Sequence, residues 1–256
     1  MTPFRRVVSL PSEWAAGVRQ GVLLGAAVLV LTLPPVGSAT SATGSHGPGV
    51  SAATATKFLE GRRLADFGGR VASTDARFVA NWVTDARDNV GLPFAILDKR
   101  DARLFLFSPS GRLIDSSAVL LGAAVGDDSV DGIGKRPIAD VRPEERTTPA
   151  GRFVSQPGRN ATGENVVWVD YDSAVSMHRV RPIDPRERRL ERLASDDPAE
   201  RRISYGCINV PVSFFENVVE PLLGRQRAVV YVLPEEKSVR EVFADAYPVD
   251  AGTHRM

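Results

Sequence analysis

The octet Ile203-Ser204-Tyr205-Gly206-Cys207-Ile208-Asn209-Val210 contains the only cysteine of this 256-residue chain. A lone cysteine has no partner for a disulfide within the chain, so this residue is either a small buried apolar residue or a reactive cysteine. Gly206 removes the side chain just before the sulfur and lets another backbone approach it closely. Ile208 and Val210 alternate with polar positions and lead to Pro211, which indicates the end of a strand or the start of a turn. The octet alone leaves a structural and a catalytic cysteine equally open.

One of the three histidines is a good candidate for a base beside this cysteine. His46 lies in a Gly/Ser-rich stretch and His254 is two residues before the last position, so neither is expected to be held rigidly. His178 closes a predicted strand, and a base must be fixed within hydrogen-bonding reach of its nucleophile. Taken singly, a histidine at a strand end is better explained as a structural residue. Together with the lone Cys207, it favours a Cys–His pair.

Three segments together resemble the L,D-transpeptidase (YkuD-type) catalytic domain. The Ser204–Asn209 motif, preceded by the strand-borne His178, is similar to the family's catalytic signature of a histidine, a variable spacer and Ser/Thr-x-Gly-Cys. The segment Thr147-Thr148-Pro149-Ala150-Gly151-Arg152-Phe153 is similar to the family's Thr-Pro-x-Gly-x-Phe, although by itself it reads as a turn before a strand. Residues 95–107 resemble the family's opening hairpin. The resemblance covers about residues 94–233.

The resemblance implies that Cys207 is the catalytic nucleophile and His178 the catalytic base. A thiol attacks a carbonyl as thiolate, and a neighbouring imidazole either lowers the pKa of the cysteine or accepts its proton. The imidazole needs a third group to fix its tautomer. In this family a backbone carbonyl just after the histidine is common in that role, which implies the main chain of Arg179, with Asp172 as the competing candidate.

The remaining site residues are expected around the same motif. The backbones of Tyr205 and Gly206, with that of the cysteine itself, are candidates to donate N–H groups to a developing oxyanion. Ser204 is expected to make a polar contact in the motif and to bind substrate. Asn209 is expected either to touch substrate or to be a turn residue. Arg202 is the candidate to bind a substrate carboxylate.

Two features depart from the usual family pattern. His178 is followed by Arg179-Val180 where many members have Gly-Thr, and the spacer between His178 and Cys207 is longer than usual. The insert at 181–202 is tethered at both ends to the catalytic pair, so it must lie near the site. It is interpreted either as a lid or as a solvated loop or docked helix, with Asp184 capping a short helix whose Leu190 and Leu193 are buried on one side.

Apolar periodicity predicts a protein that is mainly β with peripheral α-helices, a sandwich or barrel, and the family's YkuD-like fold implies the same. Helices are predicted over 75–89, 214–222 and 238–244, and Ser108-Pro109-Ser110-Gly111 is predicted to be a hairpin turn. Strands are expected over 95–97, 104–107, 112–114, 119–121, 152–154, 166–169, 175–178 and 228–233.

Five regions are expected along the chain. Residues 1–42 are typical of a signal peptide or an N-terminal membrane anchor, since basic residues precede an apolar run of about 16 residues, shorter than the ~20 that span a bilayer comfortably. A flexible linker at 43–57 and a helical segment at 58–92 follow. The catalytic domain is expected over 93–234 with its insert at 181–202, and a tail over 235–256.

Composition limits the partners. The chain has 32 basic and 31 acidic residues, so no strong field points to nucleic acid. One cysteine and one usable histidine make a poor set of metal ligands, and no metal or cofactor is predicted.

The resemblance implies an exported enzyme, periplasmic or wall-associated, that acts on peptidoglycan stem peptides. It would form a thioester at Cys207 and pass the acyl group to an amine acceptor, which is a peptide or a protein. Water as the acceptor would make it an L,D-carboxypeptidase, and a protein amine would make it an anchoring enzyme. A wall-binding homologue without turnover and an unrelated secreted cysteine peptidase are the other hypotheses.

Overall fold

A computed structural model of the chain describes residues 62–249. The predicted signal peptide or anchor at 1–42, the linker at 43–57 and the end of the tail at 250–256 lie outside the described residues. Among the helices within 62–249, none is long and apolar enough to cross a membrane.

Helix α1 (Thr74–Ala86) stands where a helix was predicted over 75–89. The Ser73 side chain accepts a hydrogen bond from the Ala76 N–H, which satisfies one of the free donors of the first turn. The helix ends at Arg87, whose left-handed conformation (φ 56°) turns the chain away. Its buried side, which includes Val79, Trp82 and Val83, packs against the sheet.

Strands dominate the rest of the described chain. They are β1 (Phe94–Asp98), β2 (Arg103–Phe107), β3 (Leu113–Ala118), β4 (Leu121–Gly122), β5 (Gly151–Arg159), β6 (Asn165–Asp170), β7 (Val175–Arg179), β8 (Arg202–Ser204), β9 (Ile208–Val210) and β10 (Ala228–Val232). The predicted turn at 108–111 joins β2 to β3, with Gly111 at φ 86° and its N–H bonded to the Ser108 carbonyl at 3.0 Å.

Eight strands form one sheet in the order β3-β2-β1-β10-β5-β6-β7-β9, and β4 pairs with β8. The pairs β1–β10, β7–β9 and β4–β8 are parallel, and the others are antiparallel. The two ends of the long sheet approach each other just after β3, where Leu120 and Asn209 exchange backbone hydrogen bonds of 2.9 and 2.8 Å. The sheet is therefore nearly closed, and the predicted class, mainly β with peripheral helices, is confirmed.

Short helices lie at the periphery. They are α2 (Arg189–Ala194) in the insert, α3 (Val212–Phe214) and α4 (Glu220–Leu222) with a π-helix (Phe215–Val219) between them, and α5 (Val239–Val242) in the tail. We call the continuous run from α3 to α4 the post-cysteine helix. It begins two residues earlier than the predicted helix at 214–222, and α5 is shorter than the predicted 238–244.

The sheet is buried on both faces along its central strands. One face, which includes Leu97, Met177, Ile208 and Val230, packs together with the post-cysteine helix. The opposite face packs against α1 and the tail through an aromatic-rich cluster that includes Phe94. Consecutive residues of β1 and β10 therefore point into different cores, which explains why these strands read as continuous apolar runs.

A cluster of charges is buried just beyond the end of β1. The Lys99 ammonium is fully buried and donates to Asp127 Oδ1 at 2.8 Å and to the carbonyls of Gly126 and Thr148 at 2.6 and 2.9 Å. Glu235 Oε1 lies 3.4 Å from the same nitrogen. Each of the three ammonium hydrogens thus has an oxygen acceptor, which such a buried cation requires.

Removal of the buried cation should destabilise the fold strongly. Replacing Lys99 with Met leaves the buried Asp127 carboxylate without its ammonium partner, and breaking a buried ion pair in this way costs about 3–5 kcal/mol. Urea unfolding measures the free energy. The matched control is Lys237→Met, whose ammonium pairs with Asp128 at the surface and should leave stability nearly unchanged. Equal stability of both variants would contradict the structural importance of the cluster.

Acid should weaken the same cluster. Burial opposes ionisation of Asp127, but hydrogen bonds from the backbone of Lys237, from the Lys99 ammonium and from the backbone of Glu235 and Glu236 lower its pKa to about 2. Because the folded pKa lies below the unfolded value, this carboxylate stabilises the protein fully above about pH 4, and the contribution disappears as the pH falls towards 2.

The unfolding free energy should therefore fall between pH 4 and 2 less steeply in Asp127→Asn than in the parent. Asp128→Asn, which removes the neighbouring exposed carboxylate, is the control and should keep the parent's slope. Parallel curves for the parent and Asp127→Asn would refute the assignment.

Candidate active site

Two parallel strands bring the cysteine and the histidine together. In the β7–β9 pair, Met177 lies opposite Ile208 and His178 opposite Asn209. Side chains alternate along a strand, so Met177 and Ile208 enter the core while their neighbours point to the other face. One step before the first of these pairs, Ser176 lies beside Cys207.

The thiol of Cys207 is only partly buried and has polar neighbours on β7 and the turn before it. Ser176 Oγ is 3.7 Å from Sγ, and the Ala174 carbonyl accepts from the thiol at 3.6 Å. The Ser176 backbone N–H also points at the sulfur and favours its ionised form. Ser176 is not among the predicted site residues, although its place two residues before His178 puts both on one face of a strand.

The imidazole of His178 is held by the main chain. Its Nδ1 lies 2.7 Å from the carbonyl oxygen of Arg179, so Nδ1 carries the proton in that contact and Nε2 is left for the thiol. Of the two groups considered for orienting the ring, the structure places the Arg179 carbonyl in contact with it. The Arg179 side chain turns away and pairs with Glu216 and Glu220 on the post-cysteine helix.

The pKa values of the pair shift towards each other. Burial disfavours the thiolate, but the hydrogen bond and charge of His178 outweigh it, so the pKa of Cys207 falls below its usual value. Burial likewise disfavours the imidazolium, but the hydrogen bond and charge of Cys207 raise the pKa of His178. The two shifts favour a thiolate–imidazolium ion pair, which is the reactive form of a cysteine nucleophile.

The cysteine turn, Ser204–Cys207, is braced by buried hydroxyls. The Ser204 hydroxyl donates to the Cys207 carbonyl at 2.6 Å and accepts from the Gly206 N–H at 3.1 Å. The Thr148 hydroxyl donates to the Gly206 carbonyl at 2.9 Å and accepts from the Gly122 N–H at 3.0 Å. The Thr-Pro segment of the sequence therefore supports the turn directly.

Gly206 has no acceptable substitute in this turn. Its φ of +125° is a conformation that residues with a side chain rarely adopt, and a Cβ there would lie 2.7 Å from the Thr147 carbonyl oxygen. The neighbouring Tyr205 is 40% exposed, and the guanidinium of Arg146 lies over its ring at 4.0 Å. Tyr205 thus flanks the site from the solvent side.

The three predicted substrate contacts, Ser204, Asn209 and Arg202, all have partners within the protein. Ser204 is 3% exposed and Asn209 is fully buried. The Asn209 amide donates to the Cys207 carbonyl at 3.2 Å. Arg202 has a side chain 12% exposed that is paired with the Glu235 carboxylate and donates to the Lys99 carbonyl at 2.9 Å, so a substrate carboxylate would have to displace Glu235.

The insert does reach the site, through a different arginine. Arg189, the first residue of α2, donates to Asn209 Oδ1 at 2.6 Å, and its charge opposes protonation of His178. Asp184 caps the 3-10 turn before α2 by accepting from the Arg186 N–H, as predicted. Leu190, expected to be buried, is 55% exposed, because ion pairs and main-chain contacts hold the insert instead of an apolar face.

The structure contains no metal-binding cluster within residues 62–249: no three His, Cys, Asp or Glu side chains there are grouped to hold an ion.

No protein-family model and no curated protein matches the sequence. Among solved structures, the catalytic domain of the Enterococcus faecium L,D-transpeptidase matches at 16% identity and a TM-score of 0.32, over 56% of this chain and 98% of that one. An L,D-transpeptidase of Xylanimonas cellulosilytica matches at 13% identity and a TM-score of 0.35, over 56% of this chain and 60% of that one.

The helical cell shape determining protein Pgp2 of Campylobacter jejuni matches at 16% identity and a TM-score of 0.37, over 57% of this chain and 49% of that one. This chain thus covers nearly all of the isolated Enterococcus domain and about half to three fifths of the two longer structures.

Thiol alkylation as a function of pH should report the ion pair. Replacing His178 with Gln removes the charge that favours the thiolate while burial still opposes it, so the alkylation curve should move to higher pH. The rate with iodoacetamide at pH 7 should fall at least about tenfold. His254→Gln, which changes a histidine outside the described residues, is the control. A curve for His178→Gln that overlies the parent's would refute the pairing.

Proposed function

We propose that this chain is a cysteine acyltransferase of the L,D-transpeptidase type that acts on peptidoglycan stem peptides. The observation that carries the proposal is a partly exposed thiol whose pKa is lowered by a neighbouring histidine, the Nδ1 of which is bound to a backbone carbonyl. A nucleophile, a base and a group that orients the base are the parts that such covalent catalysis needs.

In the proposed reaction, the Cys207 thiolate attacks the carbonyl carbon on the acyl side of the scissile amide. The C–N bond breaks, the His178 imidazolium gives its proton to the leaving amine, and a thioester remains on the sulfur. An acceptor amine then loses a proton to the imidazole, attacks the thioester and forms the new amide as the thiolate leaves. With water as the acceptor the product is a free acid.

The directions of the carbonyls favour one backbone N–H as the oxyanion donor. In a trans peptide the N–H points opposite to the preceding carbonyl. The Gly206 carbonyl points at the buried Thr148 hydroxyl, so the Cys207 N–H points away from it. The Gly206 N–H already donates to Ser204 Oγ, which removes it from the predicted set. We therefore assign the Cys207 N–H as the principal donor, with Tyr205 as the second candidate.

The substrate class comes from the resemblance of the sequence motifs to L,D-transpeptidases. That family takes a tetrapeptide stem and cleaves the bond between diaminopimelate and the terminal D-Ala. Such a substrate lies outside the cytoplasm, and the signal peptide or anchor predicted at 1–42 would carry the enzyme there. The paired thiol and imidazole favour turnover over the alternative of a wall-binding homologue, which has no need of either group.

Product analysis tests the proposal. We expect the protein, mixed with disaccharide-tetrapeptides, to yield cross-linked dimers that have lost one D-Ala, and mass spectrometry detects them. Cys207→Ala should abolish the product, and Cys207→Ser should lower the rate at least about a thousandfold, as loss of a nucleophile does elsewhere. His254→Gln should match the parent.

Tripeptide without dimers would indicate the carboxypeptidase reaction and keep the acyl-enzyme. A thioester adduct on Cys207, seen as a mass increase of the intact protein, would separate a slow second step from a missing first step. No adduct and no product would refute the proposed function.

A further inference from the structure

A row of outward-facing residues crosses the sheet and ends at the thiol. Gln156 on β5 lies opposite Trp168 on β6, and Trp168 lies opposite Ser176 on β7. Ser176 is in turn the neighbour of Cys207. Residues directly opposite each other in a sheet share a face, so Gln156, Trp168 and Ser176 form a path that leads away from the sulfur.

An aromatic platform, Trp168 and Tyr171, lies on this path. The two rings are stacked with centroids 4.8 Å apart and planes inclined by 23°. Tyr171 is 59% exposed. Trp168 lies across Gly158, where a Cβ would come within 2.5 Å of the indole ring. The absence of a side chain at Gly158 therefore makes room for the edge of the indole, at its Cδ1 and Nε1 atoms.

The platform is tied to the thiol at two points. Trp168 pairs with Ser176, whose Oγ is 3.7 Å from the sulfur. Tyr171 opens the turn that ends at Ala174, whose carbonyl accepts from the thiol at 3.6 Å. The backbone of Gly134 packs closely against this turn, since a Cβ on Gly134 would lie 2.5 Å from the Asp172 carbonyl oxygen. The platform and the cysteine thus lie on the same face of the sheet, joined by the buried Ser176.

We propose that the Trp168–Tyr171 platform binds a pyranose ring of the glycan to which the stem peptide is attached. This inference rests on the proposed function. The C–H-rich face of a pyranose is apolar and packs against the electron-rich face of an aromatic ring, while its hydroxyls stay in water or meet polar neighbours such as the exposed Gln156.

The distances fit this occupant. Trp168 is two strand spacings from Cys207 across the sheet, and neighbouring strands lie about 4.8 Å apart, which gives ~10 Å. In the proposed substrate, three residues separate the sugar from the attacked carbonyl. At about 3.3 Å per extended residue they span at least ~10 Å, before the link to the sugar is counted. A stem peptide with its carbonyl at the sulfur would therefore bring its sugar to the platform.

Binding to Cys207→Ala tests the inference without turnover. Three ligands are compared by calorimetry: the free tetrapeptide, the disaccharide-tetrapeptide and the disaccharide alone. We expect the sugar to tighten binding of the tetrapeptide about tenfold, a gain typical of one aromatic contact. Adding Tyr171→Ala or Trp168→Phe should reduce that gain. Tyr247→Ala, which removes a 38% exposed aromatic bonded to Asp85 on α1, should leave it intact.

Each outcome of the calorimetric comparison either supports or overturns the inference. Equal affinity for the free and the sugar-bearing tetrapeptide would overturn the inference, and so would a platform variant that weakens both peptides equally, since the contact would then be with peptide. Binding of the disaccharide without binding of the tetrapeptide would support the platform and refute the proposed function. Binding of none of the three ligands would overturn both.

Discussion

The fully buried ammonium of Lys99 is the interaction on which the site depends. It anchors the end of β1 to the Thr148 carbonyl, and the hydroxyl of the same Thr148 donates to the Gly206 carbonyl in the cysteine turn. On its other side it faces the Glu235 carboxylate, which binds Arg202 at the start of the strand leading to the cysteine turn. A buried charge keeps its place only while every partner stays in place, so it fixes these segments relative to one another.

The register between β7 and β9 is the second constraint. His178 and Cys207 face the same side because both strands run in the same direction and their apolar residues fill the core behind them. A slip by one residue would turn Met177 and Ile208 outwards and lose the core, so packing fixes the geometry of the pair. The core residues Met177 and Ile208, which take no part in the proposed reaction, thus position the Cys–His pair.

The sequence was sufficient to predict the class of fold, most strands and the proposed pair, because these depend on local periodicity and on a lone cysteine. It gave no sign of the ion pair of Arg202, because the partner, Glu235, is 33 residues away along the chain. It also ended β5 near Val154, since Pro157 and Gly158 are typical of a turn. The strand continues because β6 supplies its hydrogen bonds, and Gly158 makes room for an indole ring.

The position of β10 has a consequence for how the protein folds. This strand, the last in the described chain, lies in the middle of the sheet between β1 and β5 and is parallel to β1, with Phe94 beside Val229. The centre of the sheet therefore requires closure of a loop of more than a hundred residues. The chain loses the entropy of closing this loop before the contacts between the strands stabilise it. A nascent chain that lacks β10 exposes the unpaired edges of β1 and β5. The sheet therefore becomes continuous only after β10 has been synthesised.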